Sequence, residues 1–403
     1  MIGVSPIAER AKQLLRSPAQ TFEGAFILFV AAAFILRPTP VWADIFYVAL
    51  FPAFVRALWT RERTVPRAPE TWLLLALLVY FGASILWTAV SAPGRNVKFA
   101  FGVLTNGLFI AAAITFFARA DERILDRFGR VFLAAAVANA VISLTLFVIQ
   151  GDLDERLRGW AETRHPILGG LIITLALIFA LDRFRRAQAF DWRALAISAL
   201  FVCFVALTRS RTAIIAASCV TIIAAWRLPA RRAAILAILL ALPGLLAFAA
   251  EPSLVESAFA QLVERSDSHR LFIWTVAWEN IQLRPLLGHG LATIFPLAEP
   301  FGHPHNLFLS TLFYGGLIGF TLLLALALAL GVRVLALAGH ERRMLALCLL
   351  AYLTASTAFD YGPLFRGASE LWLTLWLPVA MIIGYAVRTA KGRPDLTTAP
   401  SAA

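Results

Sequence analysis

Apolar residues run along this chain in a dozen blocks, each parted from the next by arginine-rich or proline- and glycine-rich stretches. A bilayer-spanning helix needs about 20 residues, and fewer where flanking arginines snorkel to the interface. The pattern predicts spans at 18–36, 41–58, 71–90, 99–118, 131–149, 166–181, 194–208, 212–226, 233–250, 307–330, 344–359 and 371–387. Ser17-Pro18 introduces the first, an N-cap residue followed by proline at the first helical position. An even number of spans puts both termini on one side. One connection is long, 251–306, and long loops on a membrane scaffold are where function is sought first. Within it, 252–265 reads as an amphipathic helix with Leu254, Ala258 and Leu262 on one face. A second helix over about 268–283 would set Arg270, Trp274 and Trp278 one turn apart, a spacing that suits tryptophans of the headgroup layer. Residues 1–390 thus read as a single transmembrane domain, and the polar tail 391–403 reads as disordered.

Composition excludes the soluble alternatives. Hydrophobic residues make up 60% of the 403 and charged residues 15%, whereas a soluble domain averages about 45–50% and 25%. The blocks are continuous, without the alternation of an outer-membrane barrel. The fold class is therefore all-α: a polytopic integral membrane protein of about twelve transmembrane helices with one large loop containing short helices. A net charge of +12 on a soluble chain would suggest nucleic acid. Here the arginines sit at block ends, as topology signals and contacts for membrane phospholipids, so no nucleic-acid partner is expected. Two thirds of the 36 basic residues fall in the loops that share a side with the termini. The positive-inside rule then makes both termini cytoplasmic and puts 251–306 on the outer, periplasmic face. The N-terminal segment shows no small-residue cleavage site and is expected to be retained. Cys203, Cys219 and Cys348 lie within apolar blocks as small fillers.

Four polar clusters fall on the outer face. Arg156, Arg158, Arg164 and His165 are interleaved with Asp152, Asp154, Glu155 and Glu162, which reads either as a self-paired loop or, through Arg164 beside the span, as a contributor to a site. Thr208-Arg209-Ser210-Arg211-Thr212 is a tight hairpin whose two arginines run against the positive-inside tendency, either snorkelling to lipid or clamping an anion. Forked guanidinium donors match the oxygens of a pyrophosphate. Arg270 lies beside His269 and Asp267. Finally, Gly302-His303-Pro304-His305-Asn306-Leu307 enters the tenth span, with Asn306 placed as an N-cap and either histidine placed as a base near neutral pH. The chain has no His-Glu-x-x-His motif and no cysteine cluster, so no metal set is expected; Asp360 and Glu370 are isolated in sequence. A transporter would carry ionisable groups at mid-depth and two similar halves, whereas the polar groups here gather on one face.

These residues resemble the bacterial O-antigen ligases, within the wider ligase and polymerase superfamily of membrane glycosyltransferases. The resemblance rests on Ser210-Arg211-Thr212 at the end of a span, Arg270 followed by Trp274, Pro285-Leu286-Leu287-Gly288-His289-Gly290-Leu291, and His305-Asn306-Leu307-Phe308-Leu309 before a span with Gly315, Gly316 and Gly319. It implies a GT-C-like enzyme of the bacterial inner membrane. Such an enzyme moves a glycan from undecaprenyl pyrophosphate to a lipid A-core sugar with inversion, without metal or cofactor. It also implies His305 as the base and Arg211 and Arg270 on the pyrophosphate; beside these, the clusters themselves offer Arg209 and Arg164 as further pyrophosphate candidates and His303, Asn306, Arg158 and Asp360 as secondary positions. The same superfamily holds polysaccharide polymerases and protein O-oligosaccharyltransferases, and a lipid-linked glycan transporter is the alternative of a different class.

Overall fold

Ser17-Pro18 begins a helix as expected: Ser17 Oγ accepts from the Gln20 N–H and the Gln20 side chain accepts from the Ser17 N–H, so two orphan donors are satisfied reciprocally. The computed structural model describes residues 17–151, 155–226, 228–238, 269–298, 301–337, 342–358 and 361–391. Among these residues every regular element is helical. In chain order the helices are α1 (Pro18–Ala32), α2 (Thr39–Trp59), α3 (Pro69–Trp87), α4 (Arg95–Arg119), α5 (Glu122–Gln150), α6 (Pro166–Arg186), α7 (Trp192–Leu207) and α8 (Arg211–Trp226). They continue with α9 (Arg270–Leu283), α10 (Leu307–Ala336), α11 (Arg343–Thr357) and α12 (Trp372–Thr389).

Seven of these, α2 to α6, α10 and α12, are long and apolar enough to cross a membrane, and α1, α7, α8 and α11 are shorter apolar helices. Each falls on a span read from the sequence. Of the expected span 233–250 only the part up to 238 is described, and it is helical. The expected helix at 252–265, the tail beyond 391, and Asp152, Asp154 and Asp360 lie outside the described residues. The fifth helix starts nine residues before the expected 131. Asp121 accepts from the Ile124 N–H at 2.8 Å, and this cap carries the helix past the end of its apolar block.

The two ends of the bundle differ in how their charges are met. At one end Arg63 pairs with the buried Glu23, Arg333 with the buried Glu70, and Arg342 and Arg388 with Glu122. Several arginines read as topology signals therefore also hold helix ends together. At the other end the segment leading into α10 is tied to the α3–α4 connection, with Ala89 N–H donating to His289 O and Ile294 N–H to Val90 O. Its entry is built on glycine. α10 is broken at Gly316 (φ 60°, ψ −162°), and residues 285–290 lie in the break. Leu317 N–H donates to Pro285 O, while His289 and Gly290 N–H donate to Phe313 O and Tyr314 O. Gly288 also has positive φ (69°), and a Cβ there would come within 2.5 Å of Gly316 N. Only two glycines allow this approach. His289 is accordingly structural, its Nε2 2.8 Å from Asn280 O and its ring stacked on Phe313.

Candidate functional site

The histidine pair sits where the chain turns into α10. Asn306 caps that helix by accepting from the Leu309 N–H (3.0 Å) and donates from Nδ2 to Ala358 O at the end of α11 (2.8 Å). One side chain thus fixes the entry angle of the loop and ties it to a neighbouring helix. His305 is held at φ 49°, a left-handed conformation that a residue with a Cβ adopts at a cost of about 1–3 kcal/mol. Its N–H donates to His303 Nδ1 (3.2 Å), and the two rings lie 3.8 Å apart between centroids. With Nδ1 accepting, the proton of a neutral His303 sits on Nε2. Trp274 Nε1–H donates to Pro304 O at 3.1 Å, and the His269 ring lies 5.3 Å from Phe301, so the first turns of α9, where Arg270 stands, are joined to the histidine loop. The Trp274 indole is thus a strut between α9 and the histidine loop. Trp278, on the same helix, is exposed.

Arg211 opens α8, with Ser210 Oγ accepting from the Ala213 N–H. Thr208, Ser210 and Thr212 are buried, while Arg209 and Arg211 between them are half-buried. Arg209 also has positive φ (47°), as does His269 just before Arg270 (52°). Three of the left-handed non-glycine residues therefore stand at or beside the predicted site positions. α8 packs antiparallel to α11, with Cys348 Sγ 3.8 Å from Val220 O. Arg211 at the start of α8 and Thr357 at the end of α11 each stand nine residues from that contact, about 13 Å along the helix.

The loop 155–165 lies against the arginine turn: Leu157 N–H donates to Leu207 O and Arg156 Nε–H to Thr208 O, both at 2.9 Å. Arg158 and Arg164 line an open basin of about 730 Å³ with Glu155, Arg156, His165 and Glu370. Arg164 lies 4.0 Å from Glu370, so an acid isolated in sequence meets an arginine 206 residues away. Glu162, counted in the sequence among solvated partners, is instead wholly buried, and neither of its oxygens makes a hydrogen bond within the described protein. Burial pushes its carboxyl up to about 7; the Glu370 charge adds to this, and Arg164 and the Thr39 hydroxyl oppose it.

A second cavity, of about 240 Å³, is walled in part by His303. Arg95, Lys98 and Arg366 also line it, with Phe99, Phe295 and Tyr314 among its apolar walls. Arg95, Lys98 and Arg366 were not singled out from the sequence; the first two share one connection and Arg366 lies 268 residues further on. Nothing local in the sequence groups all three.

Residues 195–324, from α7 into α10 and including both arginine positions and both histidines, match the sequence profile of a family described as O-antigen ligase. The chain is also 29% identical over 328 residues to an O-antigen ligase of Pseudomonas aeruginosa, across 77% of this chain and 69% of that protein. The profile match and the longer relative agree with each other: both liken this chain to the O-antigen ligases.

Proposed function

We propose that this protein is a glycosyltransferase of the O-antigen ligase type, joining a glycan carried on undecaprenyl pyrophosphate to a sugar hydroxyl of lipid A-core. The observation that carries the reading is the tethering of the His303–His305 loop to the start of the Arg270 helix, at the bundle end that also bears the Arg209–Arg211 turn. His305 takes the proton of the acceptor hydroxyl as its oxygen bonds to the anomeric carbon. The bond from that carbon to the phosphate oxygen breaks, and the electron pair leaves with the diphosphate. Arg211 and Arg270, with Arg209 and Arg164 nearby, stabilise the charge that builds on it, and inversion follows from the single displacement. Guanidinium groups fill the role a metal would otherwise have, so no metal or cofactor is required. The apolar blocks support twelve spans, and the charge count supports cytoplasmic termini and a periplasmic site in the bacterial inner membrane, with the basic, acid-paired end inside.

The test is reconstitution. Purified protein mixed with the lipid-linked glycan and lipid A-core should yield the joined product. Movement of the lipid-linked glycan across the bilayer with no new glycosidic bond would refute the proposal in favour of a transporter. In cells, loss of the gene should leave polymerised glycan on its carrier and bare lipid A-core; single repeat units on the core would indicate a polymerase instead.

A further inference from the structure

We propose that the cavity lined by Arg95, Lys98, Arg366 and His303 is an anion site that takes a phosphate group of the acceptor glycolipid. It rests on the reading of His305 as the base and extends it: the site that activates the acceptor has its own anion anchor, apart from the arginines assigned to the donor.

Arg95 and Lys98 stand one turn apart at the start of α4, on one face of the helix. Arg95 is already oriented. Its Nε–H donates to Ala292 O at 2.6 Å and its Nη2 to Thr293 O at 3.3 Å, and its guanidinium lies 4.9 Å from the Phe99 ring. Nη1 makes no hydrogen bond among the described residues, and neither do the side chains of Lys98 and Arg366. Arg366 is held by its backbone, because Asn106 Nδ2 donates to Arg366 O from α4, and Gly102 lets the 365–367 segment approach so closely that a Cβ would come within 2.9 Å of Phe365 O. Three cations are thus positioned on one cavity, and none of the described residues lining it is a carboxylate. A fixed guanidinium fork with two further positive charges suits a phosphate dianion. The His303 ring forms part of the wall and lies 3.8 Å from the His305 ring, so a phosphate bound here would lie about one sugar from the hydroxyl that His305 activates. The Phe99, Phe295 and Tyr314 faces offer apolar surface to that sugar.

Two sources share this chemistry, a phosphate on the acceptor and the headgroup of a bulk anionic phospholipid. The experiment compares wild type with the exposed-site double variant Lys98→Gln, Arg366→Gln. It uses lipid A-core acceptor with and without its phosphates and, as a competitor, phosphatidylglycerol vesicles. Wild type should bind and use the phosphorylated acceptor at least about tenfold better than the dephosphorylated one, since a charge-assisted hydrogen bond contributes about 1.5–3 kcal/mol. In the double variant that ratio should fall towards one. An unchanged ratio in the variant, or no preference in wild type, overturns the proposal. Equal loss of phosphatidylglycerol binding, with vesicles displacing the acceptor, overturns the acceptor assignment in favour of a lipid site. Binding is measured without the donor, so absence of transfer would count against the proposed reaction and leave the anion site to be judged by the binding ratio.

Discussion

Glu162 lends itself to a quantitative test because its environment is fully defined by the fold. The carboxyl is wholly buried between the end of α1, α5 and the start of α6; its own N–H donates to Ala33 O, and among the described residues neither carboxylate oxygen accepts a hydrogen bond of normal geometry, the Thr39 hydroxyl being a polar neighbour that lowers the pKa. Its pKa stands at about 7 against 4.5 for an ordinary glutamate, with burial the main cause. At 1.36 kcal/mol per pH unit, that difference corresponds to about 3 kcal/mol. The sign follows from proton counting. Between pH 4.5 and 7 the folded protein keeps a proton that the unfolded chain has lost, so stability is full below about 4.5, declines as pH rises through about 7, and is flat beyond. Glu162→Gln is neutral throughout and should abolish this slope. Any fixed cost of an amide without partners shifts the whole curve and leaves its shape alone. The assay is equilibrium unfolding in detergent micelles at pH 5 and pH 8, read as the difference between wild type and variant. The variant should gain about 3 kcal/mol relative to wild type on going from pH 5 to pH 8. Parallel curves would refute the argument and would mean that water or a cation reaches the carboxylate. Arg164→Gln removes a charge that favours the ionised form, and should move the wild-type decline to higher pH.

Four further outcomes are expected. His305→Ala should lower transfer by about 10²- to 10⁴-fold with donor binding retained, and His303→Ala should cost far less; a reversal in turnover assays would exchange their roles. Arg211→Lys and Arg270→Lys keep the charge but lose the fork, so both should weaken binding of undecaprenyl pyrophosphate, with alanine worse still, and unchanged affinity would leave them structural. Activity should survive EDTA; an absolute need for magnesium or manganese would point to acids such as Asp152, Asp154, Asp360 and Glu370. Gly316→Ala should destabilise the protein in thermal unfolding, because the new Cβ meets the backbone of residues 286–288 and φ is positive there; wild-type stability would show that the α10 break can relax.

The elements were legible because their causes are local. Runs of apolar residues, the Ser17-Pro18 start and the Asn306 cap each act within a few residues, and the described helices fall on the expected spans, except that α5 begins early at a cap outside its apolar block. The candidate arginines and histidines were legible for the same reason: each is a polar residue at the end of an apolar run. Convergence was not. Nothing near Glu370 marks it as the neighbour of Arg164, nothing near Arg366 groups it with Arg95 and Lys98, and an acidic loop reads as solvated until packing encloses Glu162. Helix–helix packing decides which loop ends meet, through contacts between residues hundreds of positions apart. The sequence by itself determined a helical membrane chain with its candidate site residues at span ends; only the tertiary structure decided which of those ends share a cavity, because burial and charge proximity belong to the assembled bundle and to no single segment.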